Sequence, residues 1–134
     1  GVTIDVGHAL AAYEDVGESI VVLSRGESRL FHMHLNDNYR LWDDDMIVGS
    51  VHTIEYIEML YWLDRMGYSG FLSLDQYPYR EDPEQAIAES IEWLKVFRAM
   101  LDRVGLERVT EVLKSGNATA SQALLRQAIA GDLA

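Results

Sequence analysis

The stretch that decides the fold runs from residue 30 to residue 45 and reads Leu-Phe-His-Met-His-Leu-Asn-Asp-Asn-Tyr-Arg-Leu-Trp-Asp-Asp-Asp. Its mostly apolar first six residues, Leu30 to Leu35, predict a short buried strand that carries a histidine near its carboxyl end. A polar loop follows, with four carboxylates within nine residues. Carboxylates and an imidazole, without cysteine, suit Mg²⁺ or Mn²⁺. The alternative interpretation is a solvated acidic loop.

Two more predicted strands end in an aspartate. Residues 2–5 (Val-Thr-Ile-Asp) and 71–75 (Phe-Leu-Ser-Leu-Asp) are short and largely apolar, which is typical of strands in a parallel sheet. Asp5, His34 and Asp75 therefore stand at or near the ends of three successive strands. In a (β/α) barrel the functional groups sit at the carboxyl ends of several strands. The pattern predicts that these three side chains share one site.

Composition excludes several classes of function. The chain has 134 residues and a formal net charge of −11, which argues against nucleic acid and against an anionic membrane surface as partners. No apolar run approaches the roughly 20 residues that span a bilayer. The absence of cysteine excludes disulfides, a thiol nucleophile and a thiolate zinc site. It also fits the reducing cytoplasm, which is where we expect the protein to act.

The order of elements predicts an α/β fold made of consecutive βα units. Each predicted strand is followed by a helix, and a helical tail closes the chain. A complete (β/α)₈ barrel needs about 250 residues, so we predict a partial TIM barrel. It would contain about the last three βα units, with Gly1 at the start of the sixth strand, over residues 1–105, followed by a helical tail over 106–134. The predicted helices run from Ala9 or Tyr13 to Ser24, then over 53–66, 82–104, 107–115 and 121–130.

Four motifs resemble the C-terminal half of the xylose-isomerase-like barrels, and the L-rhamnose isomerase branch is the most similar. The resemblance covers residues 2–100, and the motifs follow the family's order, strand context and approximate spacing. The motifs are Asp5-Val6-Gly7-His8, His34-Leu35-Asn36-Asp37, Asp43-Asp44-Asp45 with Gly49-Ser50, and Asp75-Gln76 with Asp82-Pro83.

The resemblance implies two divalent metal ions at the carboxyl ends of the strands. Asp5, His34 and Asp75 resemble ligands of the first ion, together with a bridging glutamate on an earlier strand. The second, catalytic ion would be held by His8, Asp43 and Asp45, which makes these three the expected catalytic residues. Mn²⁺ is the expected metal, with Mg²⁺ or Co²⁺ as alternatives. The loop is one residue longer than in the rhamnose isomerases, so the pair of its three consecutive aspartates that binds metal stays open.

The resemblance also implies a reaction, namely interconversion of an aldose and a ketose by hydrogen transfer between C1 and C2 of a small sugar. The strand with the bridging glutamate has no counterpart here, so we expect the chain alone to lack a complete site. Two alternatives remain: a 3-epimerase or another enzyme of the same group, or a non-catalytic fragment that self-associates. The aspartate that ends the last strand, where 3-epimerases use a glutamate, favours the isomerase, as do the ligands for a second metal.

Three further residues are candidates for substrate binding. His32 shares a strand face with His34 and either lines the sugar pocket or is a hydrogen-bonded interior histidine. Asp37 either orients neighbouring groups or serves the turn of its loop. Arg40 either reaches a sugar oxygen or neutralises the acidic loop. His52, at the start of a helix, is predicted to be plain surface.

The predicted surface has consequences for assembly. Trp42 and Tyr77 are read either as an apolar wall for a sugar or as packing at a loop base. A sheet cut from a closed barrel has open edges and an uncovered apolar face, which recruit other strands and mark interfaces. We therefore expect a homo-oligomer.

Overall fold

The computed structural model describes residues 1–77 and 80–131, which form one three-stranded parallel sheet covered by helices. The strands are β1 (Val2–Asp5), β2 (Leu30–Leu35) and β3 (Phe71–Leu74), in the spatial order β1-β2-β3. These are the three predicted strands, with β3 one residue shorter than predicted. The register aligns Asp5 with His34 of β2, and His34 with Ser73 of β3. Parallel strands in this order, each followed by helix, make a partial TIM barrel with a helical tail, as predicted.

The predicted helix after β1 is in fact two helices. α1 covers Val6–Ala11 and α2 covers Val16–Ser24. The break lies at Tyr13, which has a φ of 59°, a left-handed conformation that a helix interior does not allow. Asp15 then starts α2, because its carboxylate accepts a hydrogen bond from the Glu18 amide at 2.7 Å. Of the two predicted starts, Ala9 was wrong because it overlooked this second cap, whereas Tyr13 lies close to the start of α2 but leaves α1 out.

The remaining helices lie close to their predicted bounds. They are α3 (Thr53–Arg65), α4 (Pro83–Val104), α5 (Leu106–Ser115) and α6 (Ala118–Ala130). Asp82 caps α4 by accepting from the Gln85 amide at 3.0 Å, as the sequence predicted. α6 starts three residues earlier than predicted, because the Asn117 side chain accepts from two amides of its first turn. No helix of the described residues is long and apolar enough to cross a membrane.

The helices cover one face of the sheet and leave the other open. Ile4, Met33 and Leu35 point into the core, where they are at most 6% exposed. On the opposite face the register places Thr3, His32 and Phe71 side by side, and Phe71 is 78% exposed. The open face corresponds to the inside of a barrel, and the carboxyl ends of the strands lie at its rim.

Candidate metal centre

Asp5, His34 and Asp75 meet at the carboxyl ends of the three strands. The Nδ1 atom of His34 lies 2.9 Å from Oδ2 of Asp75 and 3.4 Å from Oδ2 of Asp5. One ligand atom from each residue lies within 4.8 Å of the other two, which is close enough for a single ion to contact all three. Parallel pairing in register produces this convergence, because each strand delivers its last side chains to the same edge.

A second group forms beside the first and shares one of its members. Asp5, His8 and Asp43 also offer ligand atoms within 4.8 Å of one another, and Nε2 of His8 lies 2.8 Å from Oδ2 of Asp43. Asp5 is the N-cap of α1, and its Oδ1 accepts from the His8 amide at 3.1 Å. This cap fixes His8 one helical turn beyond the strand end. Asp5 therefore lies between two positions that could each hold an ion.

The side chains of this cluster fit a hard divalent cation. Oδ1 of Asp43 is buried and has no hydrogen-bond partner among the described residues. A buried carboxylate oxygen without a partner is unfavourable, and a bound cation would satisfy it. Carboxylates with one or two imidazoles are ligands that Mg²⁺ and Mn²⁺ accept.

Asp45 lies next to these groups but belongs to neither of them. Burial raises the pKa of its carboxyl group, and the negative charges of Asp43, Asp75 and Asp5 raise it further, while a hydrogen bond from Asn36 lowers it. Its φ of 47° is a left-handed backbone conformation that is uncommon for residues other than glycine. Mutual repulsion of carboxylates at a strand end is the electrostatic situation that a divalent cation relieves.

Asn36, Asp37 and Asn38 are fully buried beneath this cluster, each with 0% exposure. The Asn38 side chain donates to the Gly7 carbonyl at 2.8 Å and accepts from the Arg40 amide at 2.8 Å. Three consecutive buried polar residues are unusual, and each must be satisfied by partners within the protein. Their partners connect β2 to α1 and to the acidic loop.

The carboxylate of Asp37 holds the base of the acidic loop. It accepts from the amides of Asn38 (2.8 Å), Val51 (2.8 Å) and His52 (2.9 Å), and it contacts the His52 ring at 2.7 Å. The main chain of Asp37 also exchanges two hydrogen bonds with Met46, which closes the loop. Asp37, a candidate for sugar binding, thus points toward the start of α3, and its side chain is fully buried.

His52 is buried, so the prediction that it is plain surface was wrong. It is 6% exposed, and its Nδ1 contacts Asp37 while its Nε2 lies 2.9 Å from Nε of Arg40. Since the Arg40 Nε–H can only donate, Nε2 accepts and Nδ1 carries the hydrogen that Asp37 accepts. Arg40 then extends to Glu55, at 3.6 Å, and so faces α3. No pattern in the sequence indicates this chain of contacts, because it joins residues 15 positions apart across a loop.

The other candidates are partly or largely exposed. His32 is half-buried, and its ring meets that of His34 edge to face, with 5.2 Å between centroids. Trp42 is 72% exposed and Tyr77 is 62% exposed. Pro78 and Tyr79, which follow Tyr77 in the sequence, lie outside the described residues.

A partial (β/α) barrel with histidine and carboxylates at its strand ends defines the general class of protein. A family model described as xylose isomerase-like TIM barrel matches residues 1–97, and the chain belongs to this family. The match covers 97 of the 134 residues and ends within α4. The family includes sugar isomerases and epimerases, whose substrates are small sugars. No curated protein gives a match to the chain.

Proposed function

We propose that this chain carries the metal-binding end of a divalent-metal-dependent sugar isomerase that interconverts an aldose and a ketose. In this proposal hydrogen moves between C1 and C2 of the sugar, as in the L-rhamnose isomerase branch of the family. The observation that carries the proposal is the position of Asp5, which contributes to two adjacent ligand groups. A carboxylate that belongs to both groups would allow two neighbouring cations to bind side by side.

The proposed ligands divide between two ions. Asp5, His34 and Asp75 would hold the first, and His8, Asp43 and Asp45 the second, with Asp5 shared between them because it also lies in the group of His8 and Asp43. Mn²⁺ is the proposed resident metal, with Mg²⁺ and Co²⁺ as alternatives. Bound there, the ions would supply Lewis-acid polarisation of neighbouring sugar oxygens and offset negative charge that develops during hydrogen transfer.

The chain's own side chains would orient the sugar at the open face. His32 lies beside His34 on that face. Its ring can donate a hydrogen bond to a sugar hydroxyl or accept one from it. Asp37 and Arg40 remain part of the proposed substrate site, but through the loop that they stabilise, because their side chains contact His52.

The end of β3 supports an isomerase over a 3-epimerase. The resemblance implies that the 3-epimerases exchange a proton through a pair of glutamates. Here Asp75 directly follows the strand, and the carboxylate of this shorter side chain lies 2.9 Å from the His34 ring. That contact suits a ligand held near a shared ion.

We also propose that β1, β2 and β3 are the last strands of the barrel over residues 1–105, with residues 106–134 as an accessory helical tail. The sugar pocket then needs a second wall opposite Phe71, which is 78% exposed. The chain alone would bind metal but turn over no sugar.

Calorimetric titration with Mn²⁺ tests the metal site. We expect two ions per chain, loss of both in Asp5→Asn, loss of the first in Asp75→Asn and loss of the second in Asp43→Asn. Asp44→Asn is the matched control, because Asp44 is the neighbouring carboxylate in the same loop but belongs to neither group. The proposal fails if the wild-type chain binds no Mn²⁺, or if Asp44→Asn weakens binding as much as Asp43→Asn.

Turnover is tested separately by measuring ketose formed from L-rhamnose and other aldoses. We expect none with the chain alone. We expect turnover when the remaining barrel strands are supplied, and its loss in Asp43→Asn. Ketose formation by the chain alone would contradict the proposed need for a second wall.

A further inference from the structure

The side-chain amide of Asn36 joins the two proposed metal positions. Its Nδ2 donates to Oδ1 of Asp45 at 3.0 Å and makes a longer contact with Oδ1 of Asp5 at 3.5 Å. Its Oδ1 accepts from the Gly7 amide at 2.6 Å. One buried side chain therefore touches a carboxylate of the first group, a carboxylate of the acidic loop, and the helix between them.

The orientation of this amide is fixed by its partners. Because the Gly7 amide can only donate, the oxygen of Asn36 must face it, and the NH₂ group must face the two carboxylates. Gly7 leaves room for this contact: a Cβ atom at that position would lie 2.5 Å from Oδ1 of Asn36. The Tyr56 hydroxyl, whose pKa is raised by burial, donates to the Asn36 carbonyl at 2.5 Å and holds the backbone.

We propose that Asn36 is a positioning residue that sets the separation between Asp5 and Asp45 and so determines how tightly the second ion binds. The inference rests on the proposed function. Asp45 lies in the acidic loop, whereas Asp5 belongs to a strand. Without the amide between them, two like charges would face each other, and Asp45 would move toward solvent. Groups that orient metal ligands commonly change metal affinity by about 10–100-fold when they are removed.

Asn38 provides a matched control in the same tripeptide. It is equally buried, but its NH₂ group donates to the Gly7 carbonyl and contacts no carboxylate of the cluster. Asn36→Leu and Asn38→Leu remove the same polar group from the same depth. A purely structural role would give both variants the same loss of stability and the same metal affinity.

Calorimetric titration with Mn²⁺ separates these outcomes. We expect Asn36→Leu to lower the affinity for the second ion by at least about tenfold. The affinity of Asn38→Leu should stay within about threefold of the wild-type value, which is a smaller change than removal of a ligand-orienting group causes. Equal affinities in the two variants would overturn the role of Asn36 and leave the metal site standing. A wild-type chain that binds no Mn²⁺ would overturn both the proposed function and this inference.

A measurement on the wild-type chain decides the matter if Asn36→Leu does not fold. Side-chain amide resonances are followed by ¹⁵N NMR during titration with Mg²⁺, which is diamagnetic. We expect the Asn36 NH₂ signals to shift as the second site fills and the Asn38 NH₂ signals to stay in place. If the Asn36 signals do not move while Mg²⁺ binds, the inference is wrong.

Discussion

His52 donates its Nδ1 hydrogen to the buried carboxylate of Asp37 across 2.7 Å, and this contact ties the base of the acidic loop to the start of α3. Both side chains are buried, with exposures of 8% and 0%. The same carboxylate accepts three backbone amides, so the loop that carries Asp43 and Asp45 starts from a fully satisfied buried anchor.

The first prediction concerns this anchor. Asp37→Asn removes the charge and places an NH₂ group where only donors surround it. We expect a loss of at least about 3 kcal/mol in the free energy of unfolding, because a hydrogen bond to a charged group contributes about 1.5–3 kcal/mol and at least one of the four donors around this carboxylate would face the new NH₂ group. Urea denaturation measures the loss. Glu107→Gln, which removes an exposed contact to Arg65, should change stability by at most about 1 kcal/mol. Similar losses in the two variants would show that Asp37 is not an anchor.

The second prediction concerns the room beside α1. Gly7→Ala would place a Cβ atom 2.8 Å from Oδ1 of Asp43, in addition to the contact with Asn36. We expect it to lower both stability and Mn²⁺ affinity, because the displaced groups belong to the metal cluster. Gly17→Ala is the control, since Gly17 occupies the same place in α2 and the atoms nearest to its added Cβ would belong to Trp62, at 2.6 Å, and Asp15, at 3.2 Å. Thermal melts measure the stability of the two variants, and calorimetric titration measures their affinity for Mn²⁺. If Gly17→Ala also lowers the affinity for Mn²⁺, the effect of Gly7→Ala does not show that the groups beside Gly7 belong to the metal cluster.

The third prediction concerns the charge of Asp45. Its pKa is raised above 3.8, first by burial and then by Asp43, Asp75 and Asp5. A folded-state pKa that is raised stabilises the metal-free fold below the unfolded value, and this contribution is lost as pH rises through the folded value. Asp45→Asn should therefore be more stable than the wild type at neutral pH without metal, and the advantage should vanish at acidic pH.

Bound metal should reverse this difference in stability. With saturating Mg²⁺ the wild type should be the more stable of the two, and the Asp45 pKa, followed by ¹³C NMR of its carboxyl carbon, should fall. If the pKa of Asp45 does not change on addition of Mg²⁺, Asp45 is not a ligand of the ion.

The fourth prediction concerns assembly. The open face of the sheet carries Phe71 at its edge strand, and exposed apolar surface next to an unpaired strand promotes association. We expect a homo-oligomer by light scattering at micromolar concentration, and a shift toward monomer in Phe71→Lys. Leu41→Lys is the control, because Leu41 is 82% exposed but lies in the acidic loop. A wild-type chain of monomer mass would show that the face is stable in water.

The strands, and the convergence of their last side chains, could be predicted from sequence because they depend on local features. Short apolar runs predicted β1, β2 and β3, and parallel pairing predicted that Asp5, His34 and Asp75 would meet. The cap at Asp82 was equally local. The break at Tyr13 was also local, but the left-handed conformation of a tyrosine is rare, and no glycine signalled it.

The buried network under the site could not be predicted in this way. Asn36 contacts Gly7, 29 residues earlier in the chain, and Asp37 contacts His52, 15 residues later. In sequence, an Asn-Asp-Asn tripeptide is typical of a surface turn. The hydrogen bonds that these residues make with Gly7 of α1 and with residues at the start of α3 turn them inward.

The cap that Asp5 forms on α1 has a consequence for any substitution at this position. Its Oδ1 accepts from the His8 amide at 3.1 Å, which ties the main chain of His8 to the end of β1. Oδ2 of the same carboxylate lies 3.4 Å from Nδ1 of His34. One side chain therefore starts the helix that carries His8 and also contributes a ligand atom, so its replacement would alter the local fold and the ligand set together.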